Sequence, residues 1–147
     1  MTYAWEVVEH LIDIIDGDPR TAGVVVEPGW PGDAIGPETI YVDSIDTESN
    51  IPVMTGGRQH YDVVISTPLL FRVTGRVTLR ATMARVDELI ATVLDVLQDD
   101  AGLDGDGGAP STVIDAVVDT SSMTSARTPE GCIGFGRVIV TVHTRIT

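Results

Sequence analysis

A chain of 147 residues is the size of one domain with one core, able to bury roughly two-thirds of its unfolded surface unaided. Its 22 Asp and Glu residues face 9 basic ones, all Arg, for a formal net charge of −13. That field opposes nucleic-acid recognition, which rests on neutralising phosphates. The uncharged stretch 63–71 is too short to cross a bilayer, and a lone Cys132 excludes an intrachain disulfide or a paired-cysteine zinc site.

At the amino terminus Ala4, Val8, Leu11 and Ile15 recur at helical spacing, with Thr2 as N-cap and Gly17-Asp18-Pro19 as the stop, so a helix is expected over 3–16. Glu6, Glu9 and Asp13 interrupt the apolar residues and no basic lead-in precedes them. The segment therefore does not read as a secretory signal, and a cytoplasmic protein is expected. Val24–Val26 predicts a short strand, 27–37 a Pro- and Gly-rich loop, and 40–45 a second strand. Residues 46–57 read as a loop holding an apolar island, Ile51, Pro52, Val53 and Met54.

From Gln59 to Val73 the alternation of apolar and polar residues predicts a long third strand with one buried face. Pro68 lacks an N–H and calls for an edge or a bulge at that point. Val86, Leu89, Ile90, Val93, Leu94 and Leu97 then form the widest apolar stripe of the chain, at steps of three and four. At roughly 1.5–3 kcal/mol each on burial, they suffice to dock a second helix on a sheet. Gly102 ends that helix, an Asp and Gly tract follows through Gly108, and strands are expected at 114–118 and 138–146, joined by a polar hairpin connection over 121–131. The order α-β-β-β-α-β-β predicts one α+β domain over 1–147, two helices packed on one mostly antiparallel sheet.

Catalytic templates find little purchase. Gly134-Phe135-Gly136 lacks the third glycine and following helix of a dinucleotide fingerprint, and a chain without lysine has no P-loop. The run from Asp104 to Asp115 departs from a calcium loop at its fifth and sixth positions, Gly108 and Ala109, and reads as a surface turn. His10, His60 and His143 fall on three separate elements without His or Cys at ligand spacing. Cys132 reads as a small buried hydrophobe rather than a nucleophile. Carboxylate pairs such as Asp99 and Asp100 flank glycine and read as solvated. No enzyme activity, cofactor or metal is expected. Arginines 58, 72, 76, 80 and 85 gather in one segment, either as a solvated face or as a contact with the acidic surface of a neighbouring subunit.

The second half of the chain carries a resemblance. Arg58-Gln59-His60-Tyr61-Asp62 opens a long strand ending in Pro68-Leu69-Leu70-Phe71-Arg72-Val73, an amphipathic helix closes in Leu97-Gln98-Asp99-Asp100, and a hairpin leads to the final strand Arg137–Val142. This pattern resembles the tail terminator proteins of long-tailed bacteriophages over 58–147, with the leading helix and two strands matching in order only. The resemblance implies a virion protein assembled in the host cytoplasm, a hexameric ring capping the head-proximal end of the tail tube. Its implied partners are copies of itself, the tail tube protein and the head-tail connector protein, with genomic DNA passing unbound through an acidic channel and no membrane involved. Ile51, Pro52, Val53, Met54, Arg72 and Arg76 are the expected intersubunit contacts. The alternatives are another neck component, a head-completion or connector-adaptor protein, and a small acidic ligand-binding domain or enzyme.

Overall fold

The computed structural model describes residues 3–49, 53–55, 58–99, 112–129 and 131–146. Two helices, α1 (Tyr3–Asp16) and α2 (Leu79–Asp99), lie against a sheet of β1 (Val25–Glu27), β2 (Glu38–Val42), β3 (Asp46–Ser49), β4 (Val53–Thr55), β5 (Arg58–Val73), β6 (Thr112–Thr128) and β7 (Gly131–Ile146). The main path runs β1-β2-β5-β7-β6, parallel between β1 and β2 and antiparallel elsewhere. The α+β class expected from the sequence holds, with two strands more than expected: 46–57, read as a loop, contains β3 and β4.

β5 organises the sheet. One edge pairs with β7 from Tyr61 to Val73, and the other is shared in turn by β4 at 58–60, β3 at 63–66 and β2 at 69–73. Pro68 falls in the gap between β3 and β2, where its carbonyl accepts from the Asp43 N–H at 3.0 Å. A residue's N–H and C=O point to the same side of a strand. The missing N–H thus faces the place where the chain crosses from β2 to β3, so this proline sits inside a central strand without costing a ladder bond to β7. Neither a sheet edge nor a bulge is needed.

One face of the sheet is covered. Val63, Ile65, Leu69, Phe71 and Val73 of β5 and Val138, Val140 and Val142 of β7 are buried against α1, through Val7, Val8, Leu11, Ile12 and Ile15, and α2, through Val86, Leu89, Ile90 and Val93. The α2 stripe is rotated slightly from expectation: Val96 is buried and Leu94 is 40% exposed. Thr78 caps the helix by accepting from the Ala81 N–H at 3.1 Å. After α1, the Thr21 hydroxyl donates to the Ile15 carbonyl at 2.7 Å, and Arg20 joins Asp18 to Asp95 of α2.

The β6–β7 hairpin also exceeds expectation. Its ladder continues through 121–131 until Thr128 pairs with Gly131, and β6 is exposed on both faces from Asp119 to Arg127. Bulges interrupt the pairing between Val113 and Asp115 and between Val118 and Thr120.

Candidate assembly surfaces

The arginines of the 58–85 segment divide into two kinds. Glu38, at the start of β2, receives Arg85 from α2 and, at 3.3 Å, Arg76 from the β5–α2 connection. Burial alone would raise the Glu38 carboxyl, but the hydrogen bonds and charges of the two guanidinium groups outweigh it and hold the carboxyl below its ordinary range. The Arg85 guanidinium is raised chiefly by its hydrogen bond to Glu38, and it also reaches Glu88 one turn along α2 at 3.1 Å. Arg76 and Arg85 therefore fasten β2 to α2 within one chain. Arg76 stays 46% exposed at its side chain, which leaves donors for a second contact.

Arg72, Arg80, Arg127 and Arg137 make no ion pair among the described residues. They share one end of the molecule, where β5 finishes, α2 begins and the β6–β7 hairpin turns: Arg72 lies opposite Phe135, and Arg137 opposite Leu70. A cleft of about 400 Å³ opens there, lined by Arg72, Arg76, Val77, Thr128, Cys132 and Ile133. Cys132 is half-buried at this cleft and not enclosed in the core as expected, because the β7 residues before Gly134 extend past the cover of α2. Val77 at its rim is 97% exposed.

Of the expected contact residues, Ile51 and Pro52 lie outside the described residues. Val53 and Met54 are on β4, in register with His60 and Gln59 at the start of β5. Arg72 stands at the other end of the same strand, up to about 40 Å away along it at the usual rise per residue. The structure does not gather the four described positions, Val53, Met54, Arg72 and Arg76, into one patch. They mark two ends of the molecule.

The face of the sheet turned away from the helices carries Tyr41, Val64, Leu70, Ile139, Thr141 and Val117, all partly or largely exposed. Trp30 of the 28–37 connection reaches this face and stands edge-on to Tyr41 with ring centroids 5.2 Å apart. Burial, followed by the nearby Asp43 charge, pushes the Tyr41 hydroxyl up from its ordinary value.

Among the described residues no three of His, Cys, Asp and Glu stand close enough to hold a metal ion. His10 is on α1 and His143 on β7, and His60 is on β5. No described helix is long and apolar enough to cross a membrane. Gly134 and Gly136, the remnant of a dinucleotide pattern, lie under α2, where a Cβ on either would meet Val86. Their role is close helix-to-sheet approach, a signal the sequence carried without revealing its cause.

No family model matches the chain, and no curated protein matches it. Among solved structures, the fold is similar to that of a chain in the virion of a native gene transfer agent particle, with a TM-score of 0.58 and 14% identity over 95% of each chain. At that identity the likeness is one of fold.

Proposed function

We propose that this chain is a structural protein of a tailed phage or phage-like virion, and specifically the terminator that caps the head-proximal end of the tail tube as a ring of six. The observation that carries this reading is the fold shared across nearly the whole length with a chain of a gene transfer agent virion, which agrees with the tail terminator pattern in 58–147. A ring of subunits each at −13 would surround DNA with a repelling field. In this reading the ring docks on the last layer of tube subunits, removes the site for further addition, and offers its opposite face to the connector. Val53 and Met54 near one end, and Arg72 and Arg76 near the other, are proposed to meet neighbouring subunits, together with Ile51 and Pro52.

Electron microscopy of particles made with and without this gene product tests the reading. Tubes of uncontrolled length and heads lacking tails are expected in its absence. Heads joined to tails of normal length would overturn it, and normal free tails beside tailless heads would favour a different neck component. A Val53→Ser/Met54→Ser variant should fold and cap poorly; loss of the fold would assign those side chains to the subunit's own interior.

A further inference from the structure

Nine successive residues of β6, Asp119 to Arg127, are exposed on both faces, and β6 ends the sheet path with its outer edge unpaired among the described residues. Fixing the backbone costs about 1–2 kcal/mol per residue, and here burial of side chains within the chain returns little of it. Soluble proteins guard such edges with lysine, proline or a cover. This stretch has neither residue, only a bulge at its start. Met123 stands 45% exposed at its middle and Phe135 38% exposed on β7. From Thr120 to Thr128 the one charged residue is Arg127, on the same face of β6 as Met123, in a strongly acidic chain.

The opposite edge of the sheet carries the complement. There α1 lies beside β1, and its solvent side bears Trp5, Glu9, Asp13 and Asp16 at steps of four, four and three. Glu9 and Asp13 are like charges one turn apart, which disfavours a helix. Asp13 and Asp16 occupy the last turn, where the helix dipole disfavours anions and this helix has no basic residue. Neither they nor Glu6 and Glu9 form an ion pair among the described residues. The stripe is thus an uncompensated negative surface with a 43% exposed tryptophan at its head, the residue type most enriched at binding hot spots.

We propose that the distal half of the β6–β7 hairpin of one copy docks on the α1 edge of a second copy. Arg127 faces Glu9, Asp13 and Asp16, and Met123, four residues before it on the same face of β6, meets Trp5, a favourable sulfur–aromatic pairing. The two surfaces differ and lie at opposite edges of one sheet, so the contact is head-to-tail and repeats until a ring closes. The assignment rests on the ring reading above and names the seam.

The test is association of the purified full chain by sedimentation and light scattering at low and high salt. Association weakening with salt is expected. Arg127→Glu and, separately, Asp13→Arg should each weaken it about tenfold or more. Circular dichroism and thermal midpoints should stay unchanged, because both side chains are exposed. The variant carrying both reversals should associate again. Wild-type protein that stays monomeric at low salt, or association indifferent to both reversals, would overturn the proposal, as would failure of the double variant to recover while folded. A ring indifferent to charge reversal sinks this seam and leaves the terminator reading standing; head-attached tails of normal length without the protein do the reverse.

Discussion

A Cβ placed on Gly134 would stand 2.8 Å from Cγ2 of Val86 and 2.9 Å from Cγ2 of Thr82. Both neighbours are β-branched and stiff at χ1, so neither can swing aside. Helix α2 approaches β7 this closely because the strand offers no side chain there. Gly134→Ala should lift the helix and cost about 1–3 kcal/mol, the usual range for overpacking. Chemical denaturation measures it, and an unchanged midpoint would mean that α2 does not seat on this glycine.

Two leucines on α2 separate the core from the surface. Leu89 is fully buried and Leu94 is 40% exposed beside Val117. Leu89→Ala should cost about 2–5 kcal/mol by the cavity it leaves, whereas Leu94→Ser should stay within about 0.5 kcal/mol. Equal losses in thermal or urea unfolding would place Leu94 back in the core.

Glu38 makes stability depend on pH in a set direction. Its folded carboxyl sits below its unfolded value, held there against burial by Arg85 and Arg76. The native state therefore binds fewer protons, and the stabilisation is present above the unfolded value and lost as pH falls through the folded one. Wild-type and Glu38→Gln proteins should differ most in thermal midpoint near neutral pH and converge on acidification below the ordinary carboxylate range. A gap that widens in acid would contradict the assignment.

Thr78 caps α2 through the Ala81 N–H, and the Thr82 hydroxyl donates back to the Thr78 carbonyl at 2.8 Å. Thr78→Ala should cost about 1 kcal/mol, and Thr78→Asp should retain most of the stability because a carboxylate both accepts the bond and suits the helix N-terminus. Thermal unfolding of the two variants distinguishes a capping role from mere exposure.

The sequence by itself determined the elements that bury one face. The stripes of α1 and α2 and the alternation of β5 are records of burial, since only a side that leaves water must be apolar, and they led to both helices, the long strand and the α+β class. Where no face is buried there is no pattern to read. Asp46–Ser49 of β3 is polar throughout and Thr120–Thr128 of β6 is polar but for Met123 and Ala126, so they read as connections although the backbone pairs throughout. Tertiary structure alone decided the remainder. Pro68 is admitted to a central strand because β2 and β3 part beside it, and Leu94 rather than Val96 faces solvent because the crossing of α2 over β7 fixes the helix rotation. Arg76 and Arg85 converge on Glu38 from sequence separations of 38 and 47. Arg127 and the carboxylates of α1 lie at opposite edges of the sheet for the same reason: strand order is set by long-range pairing, which no local spacing of residues encodes.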